Sequence, residues 1–111
     1  MQVTRIAEAP SYQAPEHFDM ACLRLQGREA SRTEAMWVGL SHLLPGGHTS
    51  LKSSEQEKIY VVIEGQVIVR TETGEADLGP LDSAVIPRGE TRALENRTNR
   101  PATVLLLMEG T

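Results

Sequence analysis

The sequence lacks several features that would each indicate a class of protein. It has a single cysteine, Cys22, so no intrachain disulfide can form, and nothing near it marks a reactive thiol. No segment approaches the about 20 apolar residues of a membrane helix. The first residues, MQVTRIAEAP, have no apolar core of the signal-peptide type. We therefore expect a cytoplasmic protein that has no membrane partner.

Aromatic residues and basic charge are also scarce. Aromatics make up 4% of the 111 residues, so a core must be built from Val, Ile and Leu. The net charge of −4 and the isoelectric point near 5.3 argue against a nucleic-acid or acidic-membrane surface. A chain of this length is predicted to be one domain with a single modest core, and no nucleic-acid partner is expected.

Short apolar segments separated by turn residues predict an all-β domain. Residues 1–19 carry two Ala-Pro pairs and are predicted to be an irregular arm, with one short strand at Val3–Ile6. Residues 20–111 show apolar segments at a spacing of about 8–12 residues, which is typical of an antiparallel sandwich or small barrel. The predicted strands are Met20–Leu25, Met36–Leu44, Lys58–Ile63, Gln66–Thr71, Asp82–Ile86, Thr91–Asn96 and Thr103–Met108. Pro45-Gly46-Gly47 is predicted to stop the second of them.

The segment KIYVVI at residues 58–63 is apolar on both faces of a strand. Tyr60 and Val62 share one face by strand alternation, and Ile59, Val61 and Ile63 share the other. A strand with one solvated face would alternate between apolar and polar residues. One face is therefore expected to line a barrel, and the other to pack on a second sheet, the arm or another subunit.

Two segments of the chain resemble the signature motifs of the cupin superfamily. Residues 45–65 read PGGHTSLKSSEQEKIYVVIEG, and residues 81–96 read LDSAVIPRGETRALEN. The usual second motif is G-x5-P-x-G-x2-H-x3-N, in which Pro87-Arg88-Gly89, Arg92 and Asn96 match in spacing, while Leu81 replaces the first glycine. The resemblance to small single-domain cupins covers roughly residues 36–109. It implies a double-stranded β-helix, which is an antiparallel β-barrel or jelly roll.

The resemblance also implies a metal site whose usual ligands are replaced in this chain. The two motifs normally supply two His, a Glu and a third His to one metal ion. The four positions here hold Lys52, Ser54, Lys58 and Arg92, or Leu51 and Ser53 for the first pair if the longer spacing applies. Protonated Lys and Arg have no lone pair to offer, and their charges repel a divalent ion. We therefore expect no metal and no other cofactor.

Lys58 and Arg92 are the central candidates for ligand binding. The resemblance implies that both project into the barrel, where a cation is costly unless it is paired. The carboxylate or phosphate of a small ligand would pair with them. Alternatively, internal acids neutralise them, the candidates being Glu55, Glu57, Glu90 and Glu95, or the lysines extend to the barrel mouth. The predicted ligand-binding residues are Lys52, Ser54, Lys58, Arg92 and Asn96.

Three residues are candidates for catalysis: Lys58, Tyr60 and His48. A lysine desolvated beside Arg92 would have a lowered pKa, which suits a base or a Schiff-base nucleophile. Tyr60 shares the face of Lys58, so it is a candidate for hydrogen bonding or acid–base work as well as for wall packing. His48 follows a Gly pair and equally fits a loop residue, just as Asn96 equally fits a turn cap.

These observations leave three functions open. The first is a metal-independent cupin that binds an anionic metabolite, a carboxylate or phosphate, with isomerase- or lyase-type acid–base chemistry as its extension. The second is a non-catalytic sensor or accessory cupin whose barrel is plugged by side chains. The third is a metalloenzyme with displaced ligands around His48 and His42. The apolar outer strand faces predict a homodimer. The resemblance also implies one, because small cupins often form dimers.

Overall fold

The computed structural model describes residues 1–110. Within that range the chain forms a 3₁₀ turn at Ile6–Glu8 and nine β-strands. The strands are β1 (Ser11–Tyr12), β2 (His17–Gln26), β3 (Met36–Thr49), β4 (Lys58–Glu64), β5 (Val67–Thr71), β6 (Gly74–Leu78), β7 (Ser83–Ile86), β8 (Arg92–Glu95) and β9 (Ala102–Glu109). No helix of the described range is long and apolar enough to cross a membrane.

All nine strands belong to one antiparallel sheet that curls on itself. The order is β6-β5-β8-β3-β9-β4-β7, and β2 pairs with both β3 and β1. The long strand β3 joins the two halves. It pairs with β2 from Val38 to Thr49, with β9 along its first part, and through His48 with Glu95 of β8. The neighbours are mostly not consecutive in sequence, as in a jelly roll. The predicted fold class, an all-β antiparallel barrel, is confirmed.

Strand β4 shows how the barrel separates its interior from its exterior. Lys58, Tyr60 and Val62 are buried, whereas Ile59 and Ile63 are 38% and 44% exposed. This alternation follows from the period of two in a β-strand. Along the inward face the residues change from aliphatic to aromatic to cationic. The inward face therefore ends at a polar chamber at one end of the barrel.

The core below that chamber is aliphatic. Its fully buried members come from β3, β4, β5 and β9, namely Leu43, Val62, Val67 and Val104. An aliphatic core is expected for a chain in which only 4% of the residues are aromatic. The buried aliphatic layer provides the rigid base on which the polar end of the barrel stands.

The prediction that Pro45-Gly46-Gly47 stops the second strand was wrong. Strand β3 continues through these residues to Thr49. Gly46 has a φ of 83°, and its N–H donates to the carbonyl of Asn96, while the carbonyl of Gly47 accepts from the Asn96 N–H. A Cβ on Gly47 would lie 2.6 Å from the carbonyl oxygen of Asp19. The glycines therefore bend the strand between the two halves of the sheet rather than reversing it.

The N-terminal part of the chain is more ordered than the sequence predicted. The strand expected at Val3–Ile6 is absent from the described structure, where a 3₁₀ turn begins at Ile6. Ser11–Tyr12 pairs with β2, and β2 itself begins at His17, before the predicted domain boundary at residue 20. The predicted domain end at residue 111 lies outside the described residues. Residues 10–17, which we call the strap, are consequently held beside the barrel mouth.

Candidate functional site

A cavity of about 340 Å³ opens at one end of the barrel, and we call it the cup. The strap forms one side of it, and residues from β2, β3, β4, β8 and β9 and from the connections after β2 and β3 form the rest. Five cationic side chains line it: Arg24, Arg28, Lys52, Lys58 and Arg92. No Asp or Glu of the described chain is among the lining residues. The cup is therefore a concentrated positive site in a protein of negative net charge.

Lys52 and Arg92 are fixed opposite each other by the backbone. The Lys52 N–H donates to the Arg92 carbonyl at 3.1 Å, and the Arg92 N–H donates to the Lys52 carbonyl at 3.0 Å. Residues directly opposed in an antiparallel bridge project from the same face. The two cations are thus held on one side of the chain, although like charges in this arrangement destabilise the fold. The Lys52 ammonium has a partner at the rim, Glu16, whose Oε2 lies 3.1 Å from its Nζ.

Lys58 begins strand β4 and is only 5% exposed. Burial, followed by the positive charges of Arg92 and Lys52, lowers the pKa of Lys58 from 10.5 to about 8. No carboxylate forms an ion pair with it among residues 1–110. Near pH 8 a large share of this side chain is therefore a neutral amine with a lone pair.

Arg92 is 6% exposed and has few partners for its guanidinium. Its Nη1 lies 3.4 Å from the Thr49 hydroxyl oxygen, which also accepts the Leu94 N–H at 3.0 Å. Its Nε has no hydrogen-bond partner within the described part of the chain. Donors of a buried guanidinium are normally satisfied by an acceptor, so this side chain is prepared to receive one.

The acids expected to neutralise Lys58 and Arg92 do not do so in the described structure. Glu95 instead pairs with Arg70 at 3.0 Å and with Arg97 at 2.9 Å. Glu55 and Glu57 are exposed, and no ion pair within residues 1–110 joins either of them, or Glu90, to the two cations. The cup is therefore not plugged by internal ion pairs of this kind.

Aromatic side chains form a second wall of the cup. The Arg24 guanidinium carbon lies 3.3 Å from the ring centroid of Tyr12 and 4.5 Å from that of Trp37, which is a stacked cation–π arrangement. A Cβ on Gly39 would lie 2.9 Å from Cζ3 of Trp37, and one on Gly27 would lie 2.5 Å from its Cβ. These two glycines leave room for the indole and fix its position.

His17 closes the site from the strap. Its Nδ1 donates to the carbonyl of Pro15 at 2.7 Å, which leaves Nε2 as the acceptor of the neutral ring. Burial is the main cause that lowers the pKa of His17, and the charges of Arg92, Lys52 and Lys58 act in the same direction. The imidazole is accordingly neutral at pH 7, because its pKa lies below the ordinary histidine pKa of 6.5.

Four of the residues predicted to bind a ligand do line the cup: Lys52, Ser54, Lys58 and Arg92. The Ser54 hydroxyl donates to the Gln56 carbonyl at 3.1 Å, so it shapes the loop as well as lining the cavity. Tyr60 lies one inward position deeper than Lys58 and is 3% exposed. Burial raises the pKa of Tyr60, although the nearby Arg92 opposes the shift, so the phenol stays protonated.

Two predicted residues lie elsewhere. Asn96 is 1% exposed and holds a turn: its Nδ2 donates to the carbonyls of Leu43 at 3.1 Å and Arg100 at 2.7 Å, and its Oδ1 accepts the Thr98 N–H. These contacts are those of a turn cap, the alternative that the sequence left open for Asn96. His48, proposed as catalytic, is exposed, stacks on Phe18 and donates from Nδ1 to the Gly46 carbonyl. Neither side chain lines the cup.

The residues of the cup do not fit a metal ion. Its four motif positions present two lysines, a serine and an arginine, which are unsuitable ligands for a first-row divalent ion. Within residues 1–110, no three His, Cys, Asp or Glu side chains are grouped so that they could hold one. His42, the second residue of the displaced site considered above, is bonded to the Thr103 hydroxyl at 3.1 Å. The described residues therefore do not gather His42 and His48 with further ligands as a displaced metal site would require.

The sequence signals for the remaining cup residues were weak or absent. His17 lies in a segment that shows no periodicity, and Tyr12, Arg24 and Arg28 were not singled out. Trp37 was expected to contribute to the core or to a subunit contact rather than to a ligand wall. These residues come from β1, β2, β3 and the connection after β2, so only the strand pairing reveals that they converge.

Comparison with known proteins places the chain in a family. The model of the family described as "Cupin domain" matches residues 39–108. A protein of Mycobacterium tuberculosis H37Rv named "Beta-D-galactosidase Rv1717" is 45% identical over 106 residues, which cover 96% of this chain and 91% of that protein. The similarity thus extends over nearly the whole length of both chains.

Solved structures agree with this placement. A sugar phosphate isomerase from a cupin superfamily, from Silicibacter pomeroyi, is 32% identical with a TM-score of 0.74; the match covers 84% of this chain and 60% of that one, which is thus considerably longer. The TT1209 protein of Thermus thermophilus is 29% identical over 98% of this chain and 97% of its own, with a TM-score of 0.76. With these sequences and the jelly-roll barrel in agreement, the chain belongs to the cupin superfamily.

Proposed function

We propose that this protein binds an anionic sugar derivative in the cup, either a sugar phosphate or a sugar acid, without using a metal ion. We further propose that it acts on this ligand by acid–base chemistry of the isomerase or lyase type. The observation that carries the proposal is the opposed pair of Lys52 and Arg92, with Lys58 buried near them and no carboxylate in the lining formed by the described residues.

An anion is the ligand that this arrangement needs. Buried cations without partners destabilise a protein, and opposed like charges add to that cost. A phosphate or carboxylate would accept from the forked donors of Arg92 and would offset the charges of the two lysines. The open volume of the cup does not favour the alternative of a plugged, non-catalytic barrel, in which side chains would fill this space.

A sugar skeleton is supported by the second wall and by the relatives. The second wall presents the Arg24 guanidinium, stacked on Tyr12 and Trp37, as a fixed hydrogen-bond donor for hydroxyl groups. The cavity of about 340 Å³ lies near the lower end of the about 300–1,000 Å³ typical of small-molecule sites. One relative is named as a sugar phosphate isomerase and another as a β-D-galactosidase. Both names refer to enzymes that act on sugars.

Lys58 and His17 provide the acid–base groups. The lowered pKa of Lys58 makes its amine available as a proton acceptor near neutral to mildly alkaline pH. The neutral imidazole of His17 offers a second acceptor across the cavity. An isomerisation or elimination begins when a base removes a proton next to a carbonyl or carboxylate group. Cations around the ligand would stabilise the negative charge that develops.

The test is a thermal-shift series on metal-stripped protein with inorganic phosphate, glucose 6-phosphate, galacturonate and galactose. A ligand at about 100 times its Kd stabilises a protein by roughly 2.7 kcal/mol. We expect the sugar anions to raise Tm more than phosphate does, and neutral galactose to have no effect. Arg92→Met should remove the shift, whereas Arg100→Met, an exposed arginine outside the cup lining, should keep it. Stabilisation only by divalent metal ions would contradict the proposal.

A second candidate is β-galactosidase activity, favoured by the 45% identity to the mycobacterial protein. Most glycosidases use two carboxylates on either side of the bond that breaks. Two acids form ion pairs with residues of the cup: Glu16 with Lys52, and Glu29 with Arg24. Release of nitrophenol from a nitrophenyl β-galactoside, compared with its 6-phosphate, would separate the two functions. Loss of turnover in both Glu16→Gln and Glu29→Gln would favour the galactosidase.

The proposal includes a cytoplasmic homodimer formed by the outer face of β4 and its neighbours. Ile59 is opposed to Val85 on β7 and to Leu107 on β9, so these side chains share one outer face. Ile59, Ile63 and Val85 are 38%, 44% and 55% exposed, which is typical of a contact surface when apolar residues are contiguous. Light scattering should give a dimer for the wild type and a monomer for Ile59→Lys, with Leu81→Lys in a turn as the control. A monomeric wild type would contradict this part.

A further inference from the structure

The chain uses lysine at only two positions, Lys52 and Lys58, against nine arginines. Both lysines line the cup. For binding an anion alone, arginine is at least as suitable, because its planar fork forms two parallel hydrogen bonds. What lysine adds is an amine that can lose its proton and form a bond to carbon. Their confinement to the cup therefore points to chemistry beyond charge.

The two lysines differ in their surroundings. The side chain of Lys52 is 39% exposed, and its ammonium is paired with Glu16 at 3.1 Å. Lys58 is 5% exposed and has no ion-pair partner among residues 1–110, while Arg92 and Lys52 place two positive charges near it. A carboxylate partner stabilises the ammonium form, whereas burial beside cations favours the neutral amine. Lys58 is thus the nucleophile of the pair, and Lys52 is its charged neighbour.

We infer that the Lys58 amine forms an imine with the carbonyl carbon of an anionic aldehyde or ketone, whose anionic group is held by Arg92 and Lys52. The inference rests on the proposed function for the anion and adds a covalent step to it. The substrate class narrows accordingly to sugar phosphates or sugar acids in the open-chain carbonyl form.

The step balances without an oxidant or a reductant. The lone pair of Lys58 Nζ attacks the carbonyl carbon, a C–N bond forms, and the carbonyl π pair moves to the oxygen. A proton passes from nitrogen to oxygen to give a carbinolamine, whose hydroxyl takes up a proton from solvent and leaves as water to give the protonated imine. The protonated imine withdraws electrons from the neighbouring C–H bond, and the neutral His17 lining the cup is then the group available to take that proton.

Reductive trapping tests this assignment in the wild-type protein. Sodium cyanoborohydride reduces an imine to a stable secondary amine, and peptide mass spectrometry then locates the modified nitrogen. The probes are glyoxylate, an anionic aldehyde, and propionaldehyde, a neutral one. With glyoxylate at pH 7.5 we expect Lys58 to be modified at least about tenfold faster than Lys52, a factor that corresponds to about 1.4 kcal/mol in activation free energy.

The exposed amino terminus of Met1 serves as an internal reference for intrinsic reactivity. The ratio of Lys58 to Met1 modification should be higher with glyoxylate than with propionaldehyde. Arg92→Met should remove that difference. In Lys58→Arg, which keeps the charge, the fast modification in the cup should disappear and only the slow modification of Lys52 should remain, while circular dichroism should show the same fold.

Modification of Lys52 and Lys58 at equal rates, or no modification of Lys58, overturns the inference. A thermal-shift measurement with the sugar anions on the same samples separates this failure from that of the proposed function. If the anions stabilise the protein while Lys58 stays unmodified, the imine is wrong and the anion site stands. If the anions also have no effect, both are wrong.

Discussion

Lys52 and Arg92 exchange two backbone hydrogen bonds across an isolated β-bridge, which holds two like charges on the same side of the chain. A sequence selected only for stability would place opposite charges or neutral residues there. Under the proposed function, the arrangement is a stability cost retained for binding, as is common at functional sites. It has a direct consequence for substitutions of Arg92.

Replacing Arg92 with methionine should stabilise the protein while abolishing anion binding. The substitution removes a buried cation that faces Lys52 and whose Nε finds no partner among residues 1–110, and it loses the long contact with Thr49 and the side-chain hydrogen bond with Tyr60. We expect the free energy of unfolding to rise by about 1 kcal/mol at pH 7. Urea denaturation measures the change. A loss of more than about 1 kcal/mol would instead mean that Arg92 supports the fold.

The stability of the protein should rise as the pH increases from about 8 towards 10. The pKa of Lys58 is about 8 in the folded protein and 10.5 for the unperturbed side chain, so between these values the unfolded chain binds more protons. Below pH 8 the charged form destabilises the fold by about 1–3 kcal/mol, after allowance for solvent at the cup mouth. Urea denaturation at pH 7 and pH 9.5 should show the increase.

Lys58→Met isolates this effect. The variant should be more stable than the wild type at pH 7 and should lack most of the increase in stability between pH 8 and 10. Lys52→Met is the matched control and should keep most of it, because the Lys52 ammonium is partly exposed and paired with Glu16. The comparison ends near pH 10, where the raised pKa values of Tyr12 and Tyr60 begin to lower stability. Equal pH dependence in wild type and Lys58→Met would contradict the prediction.

Gly39→Ala should disturb the aromatic wall without straining the backbone. The added Cβ would lie 2.9 Å from Cζ3 of Trp37 and 3.3 Å from the Tyr12 hydroxyl oxygen, so the indole must move. Trp37 is the sole tryptophan, so its fluorescence reports the displacement directly. We expect a shifted emission maximum and at least about a fivefold weaker affinity for a sugar anion, equivalent to about 1 kcal/mol. Gly79→Ala, which meets only the Gln66 side chain, should leave both unchanged.

Low pH should weaken the contacts that the Glu109 carboxylate makes at the start of strand β4. Glu109 accepts from the Arg88 guanidinium and, at 2.7 Å, from the backbone N–H of Glu57, next to Lys58. The hydrogen bond from Arg88 is the largest cause that lowers the pKa of Glu109 from 4.5 to about 2. Its contribution to stability is therefore present above pH 4.5 and is lost as the pH falls towards 2. The difference in Tm between wild type and Glu109→Gln should vanish over that range; a constant difference would contradict this.

Strand alternation predicted from sequence which residues of β4 share a face, and the family resemblance implied which face points inward. Once Tyr60 and Val62 share the buried face of β4, Lys58 must share it, and the structure buries all three. The family spacing similarly brought Lys52 and Arg92 into the same region. Both inferences depend on local periodicity or on motif geometry, which the sequence carries directly.

Other parts of the site could not be predicted because they depend on contacts between distant segments. His17 and Arg24 reach the cup only because β2 pairs with β3, and Trp37 is positioned by glycines on two different segments. Strand β6 was missed because its residues, GEADL, are exposed except for Leu78 and show no apolar alternation. A Pro-Gly-Gly sequence normally indicates a turn, and only the bonds to Asn96 reveal a bend.

The alternation of β4 also restricts how this protein can evolve. Ile59, Val61 and Ile63 form its outer apolar face, and Lys58, Tyr60 and Val62 form its buried face. Shifting the pairing register of β4 by one residue would exchange the two surfaces at once, placing isoleucines in the cup and the amine in solvent. Divergence within this lineage must therefore proceed by substitution at fixed positions, so that new specificities can arise in the interior while the outer surface is inherited intact.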